Sequence, residues 1–219
     1  MAIAKKTTTV EIKPVDIAIV NVRIEGDTPL IVHRWDEKVK QEILDKEMGK
    51  AKKARAIKRP IDDFCRSMYW MENEPAKDAT DDEIMEAVET GRFGFKVTGV
   101  KQAAISSAYR SGMTKDKVSL QGAFFIDGEG EEQLVEIKGD KPHIREDMVR
   151  VGMGSADIRY RGEFDHWYMD LTLRYNKNGQ YSLEQILNIL NLGGFCCGIG
   201  EWRPEKAGQN GMYHVVATE

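Results

Sequence analysis

Ser182 to Val216 reads SLEQILNILNLGGFCCGIGEWRPEKAGQNGMYHVV. It opens with an amphipathic helix pattern. Leu183, Ile186, Leu187 and Leu190 share one face, and Ser182 stands where a helix cap is expected. Gly193, Gly194, Gly198, Gly200, Gly208 and Gly211 follow, and Met212 to Val216 closes as a strand. So many glycines around Trp202 and Arg203 do not suit a plain core strand. They suit backbone that bends sharply or approaches something closely. The stretch therefore reads as a helix that delivers a backbone-lined loop to a partner.

Working outward, Asp165 to Tyr175 is the clearest strand. Trp167, Met169, Leu171, Leu173 and Tyr175 alternate with His166, Tyr168, Asp170, Thr172 and Arg174. Asp16 to Ile24 is a second strand, broken at Gly26-Asp27-Thr28-Pro29 before Leu30-Ile31-Val32 resumes. A helix is expected over Asp36 to Ala56. It ends in a basic run that holds Lys50, Lys52, Lys53, Arg55, Lys58 and Arg59 and no acid. Cations suit a helix C-terminus, so that run is either a solvated helix end or a phosphate contact. Pro60 starts a short helix with Phe64, Met68 and Met71 facing inward.

Glu72 to Glu89 is acidic, with eight carboxylates against one lysine. Thr80 and Glu83 form a capping-box pattern, and Gly91 is a stop signal. The calcium-loop pattern is absent, which leaves a solvated helix. Phe93 to Val97 reads as a strand, Val100 to Arg110 as a small-residue helix, and Val118 to Ile126 and Gln133 to Lys138 as strands. Gly139 to Phe164 reads as irregular. It interleaves Arg145, Arg150, Arg159 and Arg161 with Met148, Met153, Tyr160 and Phe164. Cations and flat or apolar side chains on one loop are what single-stranded nucleic acid uses.

The chain has 219 residues, 31% charged, with a formal net charge of −4. That excludes a basic coat for duplex DNA but not a local basic groove. No apolar run reaches membrane-spanning length, and MAIAKKTTT lacks the apolar core of a signal peptide, so a cytoplasmic protein without a membrane partner is expected. Cys65, Cys196 and Cys197 make no disulfide framework and have no zinc-ligand spacing. Gly198-x-Gly200 lacks the lysine of a P-loop, and Ser155 lacks a nucleophile elbow. No cofactor and no metal are expected.

With its insertions removed, the order of elements is β-α-β-β-α-β, an α+β plan of ferredoxin-like or RRM-like type. Three stretches then resemble the RAMP superfamily, the RRM-like proteins that include backbone and RNA-processing subunits of CRISPR effector complexes. The first is the opening strand with Thr28-Pro29-Leu30-Ile31. The second is Thr98 to Arg110, where Thr98 and Ala103 replace the family's proline and second glycine. The third is Leu192 to Gly200 with Gly208 to Met212. LIVHRW and GIGEWRPEK also resemble a set of bacteriophage proteins.

The resemblance implies a single domain over 1–219, with a helical insertion at 33–95 and a thumb-like insertion at 127–164. It implies copies stacked head to tail, as a homo-oligomer or filament along one strand of RNA or single-stranded DNA, in the bacterial host cytoplasm if phage-encoded. The residues expected at that strand are Arg34, Lys52, Lys53, Arg55, Lys101, Arg110, Arg145, Arg150, Arg159, Tyr160, Arg161, Gly198, Gly200, Trp202 and Arg203. No catalysis is expected. The alternative is a RAMP-type endoribonuclease, for which His33 and Asp36 are the candidates. A further alternative is a protein-binding or inhibitory phage module, suggested by the acidic stretch and the net charge.

Overall fold

The computed structural model describes residues 14–35, 37–50, 59–151 and 155–216. Helices and antiparallel strands are mixed throughout, in an α+β arrangement. The centre is β9 (Trp167–Asn176), whose alternation is met in full on the core side. Trp167, Met169, Leu171 and Leu173 are at most 3% exposed. β1 (Ile17–Gly26) pairs antiparallel along one side of β9, with Val20 opposite Leu173 and Ile24 opposite Met169. β10 (Tyr213–Val216) lies on the far side of β1.

The other side of β9 is shared. β5 (Phe124–Asp127) pairs with Thr172 to Tyr175, and β6 (Leu134–Gly139) with Trp167 and Tyr168. β4 (Arg92–Lys96) and β3 (Tyr69–Glu72) continue the sheet beyond β6. Residues 33–95, read as a helical insertion, therefore carry two strands of the main sheet among their helices.

Two helices close the core. α6 (Leu183–Cys196) begins at the expected Ser182 cap, in a box with Gln185, and buries Ile186, Ile189 and Leu190. α4 (Val97–Arg110) starts at Val97, three residues before the expected Val100, so Thr98 and Gly99 are helical. The helices approach so closely that any side chain at Gly193 would meet the backbone of Ala104. α3 (Asp81–Thr90) has the predicted Thr80–Glu83 capping box and stops at Gly91. Val118 to Ile126 is not one strand. α5 (Lys117–Gln121), capped by Asp116, precedes β5. The helix expected to Ala56 appears as α1 (Glu37–Glu47), with Gly49 at φ 70° just beyond it.

The largest departure is at Gly139 to Phe164. The stretch is a regular hairpin, β7 (His143–Val151) and β8 (Ser155–Phe164), paired residue for residue from His143–Glu163 to Val151–Ser155. β2 (Leu30–Val32) joins it to make a second, three-stranded sheet. The base of this hairpin rests on α2 (Pro60–Ser67). There Ser67 Oγ accepts from the Gly162 amide at 2.9 Å, and a side chain at Gly162 would strike Met68. The hairpin read as irregular because its polarity is inverted. Asp147, Arg161 and Glu163 are at most 8% exposed, while Met148 is 78% exposed. Pattern reading assumes the reverse. Of residues 127–164, Asp127 and Leu134 to Gly139 belong to the main sheet, and the hairpin belongs to the second. Among the described residues no helix is long and apolar enough to cross a membrane.

Candidate nucleic-acid interface

Three segments far apart in sequence meet at one cleft of about 290 Å³. They are His33 just after β2, Thr98, Gly99 and Gln102 in the first turns of α4, and Gly198 to Glu205. Tyr69 and Lys96 line it from the adjoining strands. Lys96 stands at the N-cap of α4 and supplies no side-chain cap, so the positive end of a 14-residue helix opens on the cleft.

The glycine-rich segment is held there by its own backbone. The Glu201 amide donates to the Ile31 carbonyl at 2.9 Å, Gly211 N to Pro29 O at 2.8 Å, and Ile199 N to Gly211 O at 2.9 Å. Gly200 has φ 77°, and any side chain on it would collide with the Ile31 carbonyl. Gly198, at φ 63°, packs on Pro204 and the Gly211 carbonyl. These glycines were expected to bare the backbone to a strand. They instead let the loop fold tightly against β2 and itself.

The side chains of this loop form a charged chain that leads out of the cleft. His33 Nδ1 lies 3.1 Å from Glu201 Oε1, and Arg161 Nη2 lies 3.9 Å from Glu201 Oε2. The His33 hydrogen bond holds the Glu201 carboxyl below the usual glutamate range against the effect of burial, and the Arg161 charge adds to it. Arg161 Nη1 donates to Asp147 at 2.9 Å, and Arg145 Nε donates to the same carboxylate at 2.9 Å. Burial alone would raise Asp147. Donation from Arg145, from the Trp202 indole and from Arg161 carries it below the usual range instead. Arg145 also reaches Glu163 at 2.6 Å. Arg203 is clamped between the Gly200 carbonyl at 2.9 Å and Glu205, which Arg110 also binds.

The expected strand-binding residues therefore separate into groups. Arg203, Gly198 and Gly200 line the cleft, with the catalytic candidate His33. Trp202, at φ 51° and 40% exposed, stands between the loop and the hairpin. Arg161 is 6% exposed and committed to carboxylates, so as placed it is closed to a phosphate. Arg145 and Arg159 carry carboxylate partners, Asp147 with Glu163 and Asp157 respectively. Arg110 is held by Glu205, and Arg34 lies over the Tyr69 ring within 3.6 Å of Glu74 and Glu132. Lys101 lies 4.2 Å from the Phe125 ring centre, away from the cleft. Arg150 is exposed towards the hairpin end, and Tyr160 packs against the core. Asp36, Lys52, Lys53 and Arg55 lie outside the described residues.

Sequence reasoning missed Glu201, Glu205, Tyr69 and Lys96. The acids of GEWRPE flank the very arginine that was singled out, and that alternation was the available signal. Among the described residues no cluster of three or more His, Cys, Asp or Glu side chains is arranged to hold a metal ion. No protein-family model matches the chain, and no curated protein matches its sequence.

Proposed function

We propose that this chain is a non-catalytic single-stranded nucleic-acid-binding protein with a ferredoxin-like core of RAMP type, phage-encoded, that assembles head to tail along the strand. The order β10-β1-β9-β5, antiparallel throughout and with α4 and α6 as its two crossovers, supports the core. The observation that carries the functional reading is the cleft. Two of the three segments that resemble RAMP motifs line it, through Thr98, Gly99, Gln102 and Ala103 and through Gly198 to Gly200, and the third, Thr28 to Ile31, ends two residues before its His33. A phosphate there meets the N-terminal amides of α4, with Lys96 and Arg203 at the rim. Tyr69, with Arg34 and Lys96 over its ring, is an aromatic side chain at the cleft that a base could meet in their place.

The test is fluorescence anisotropy with labelled single-stranded RNA and DNA at low and moderate salt. Binding in the micromolar range or tighter that weakens as salt rises is expected. Absence of binding below about 10 µM at low salt contradicts the reading. A second reading, RAMP-type RNA cleavage, draws on one specific feature, the His33–Glu201 pair in the same cleft. A histidine oriented by a carboxylate is equipped to move a proton. Wild type that cuts labelled RNA, with cleavage lost in His33→Ala while binding persists, would establish it over the non-catalytic reading.

A further inference from the structure

Of the four histidines, His33 alone lines the cleft, with its side chain 36% exposed. One of its ring nitrogens is committed. Nδ1 lies 3.1 Å from Glu201 Oε1. That carboxylate is itself anchored, because the Glu201 amide donates to the Ile31 carbonyl at 2.9 Å and Arg161 Nη2 lies 3.9 Å from Oε2. Glu201 titrates below the usual glutamate range, so it is charged wherever a histidine changes its own charge. A charged carboxylate accepts and cannot donate, so the ring donates to it from Nδ1. No described residue bonds the other nitrogen, Nε2. With its proton fixed on Nδ1, the neutral ring presents a bare acceptor at Nε2, and the charged ring presents a donor there.

We propose that His33 is a phosphate contact of this cleft, made from Nε2 by the charged ring alone, with Glu201 as the residue that positions it. Phosphate oxygens in a strand accept and do not donate, so a bare Nε2 offers them nothing. Protonation turns the same atom into a charge-assisted donor. The other charged or titratable groups around His33 come from four elements. Lys96 ends β4, Tyr69 belongs to β3, Arg161 belongs to β8, and Glu201, Arg203 and Glu205 belong to the glycine loop. Burial pushes the Tyr69 hydroxyl up, away from neutral pH. Glu205 is shared by Arg203 and Arg110, and Arg34, next in the chain, reaches Glu74 and Glu132. Histidine is the one side chain that ordinarily changes charge between about pH 5 and about pH 8. Acidification over that range therefore adds one positive charge and one donor to the cleft, and the hold on a phosphate tightens. As pH rises both are lost. This inference rests on the strand-binding reading of the cleft and names how that binding is regulated.

The test is anisotropy at fixed salt, at about pH 8 and about pH 6, with single-stranded RNA and DNA that carry a dye without a titration of its own in this range. Wild type is expected to bind about five- to tenfold tighter at the lower pH. His33→Gln is expected to lose that gain. His166→Gln, at a side chain 90% exposed and outside the cleft, is expected to keep it. Glu201→Gln tests the positioning. Its amide can donate to Nδ1 and leave the proton of the neutral ring on Nε2, so this variant is expected to bind tighter than wild type at about pH 8 and to change less with pH. Circular dichroism at both pH values checks that the variants are folded, and His33→Gln decides the contact without Glu201→Gln. A wild type that binds equally well at both pH values overturns the inference alone, and so does a His33→Gln that tightens as wild type does. A wild-type profile in Glu201→Gln removes the positioning role. A wild type that binds neither strand at either pH takes down the proposed function and this contact with it.

Discussion

Glu201 joins the cleft to the hairpin, through His33 on one side and Arg161 on the other. Its folded carboxyl titrates below the ordinary value of 4.5, so it takes up protons less readily folded than unfolded. The stability this gives is complete above that ordinary value and is lost as pH falls through the folded one. Urea midpoints of wild type and Glu201→Gln, compared at about pH 7 and about pH 4, are expected to converge on the acid side. A gap that is constant with pH contradicts the pairing. Gly200 gives a different outcome. With φ 77° and the Ile31 carbonyl against its α-carbon, Gly200→Val is expected to cost about 3 kcal/mol or more, read as a fall in melting temperature. A folded variant that only binds less well would assign this glycine to the strand.

At this scale, what was legible in the sequence was what is local. The Ser182–Gln185 and Thr80–Glu83 caps close within one helical turn, and both were readable from spacing. The partner of His33 lies 168 positions away, and no spacing rule reaches that far.

At the scale of elements, the β7–β8 hairpin is the one whose nature changes. It was expected as an irregular excursion with free arginines. It is a ladder whose inner face pairs Arg145, Arg159 and Arg161 with acids while Arg150 stays exposed, and whose outer face shows Met148 and Ile158 to solvent. The strand β9 was readable because its apolar residues face the core in strict alternation. The hairpin alternates as strictly, but with charge inward, and the carboxylates that neutralise that charge come from both of its strands and from the glycine loop. Asp147→Ala would leave Arg161 buried without its closest partner, at a cost of about 3 kcal/mol in chemical denaturation. Met148→Ala, at a side chain 78% exposed, is expected to stay within about 0.5 kcal/mol of wild type. If the two variants are equally stable, the inner face does not hold the hairpin.

For the whole molecule, the mixed α+β class was readable from the sequence. The second sheet was not, because β2 is three residues long and pairs with a strand more than a hundred positions away. In the main sheet, Phe93 to Val97 was read as a strand and is met by β4, whereas β3 was hidden in a segment read as helical. The site was half visible. His33, Arg203 and the loop glycines were in view, while the convergence of their segments on one cleft needed the three-dimensional arrangement. The central claim is that this cleft binds the backbone of a single strand. Anisotropy titrations of labelled single-stranded RNA and DNA against wild type and a Lys96→Glu, Arg203→Glu double variant, across a salt series, test it most directly. The account predicts salt-sensitive binding by wild type and affinity at least about tenfold weaker, with a shallower salt slope, in a variant that remains folded. Equal affinity and equal salt slope for the two proteins would contradict it.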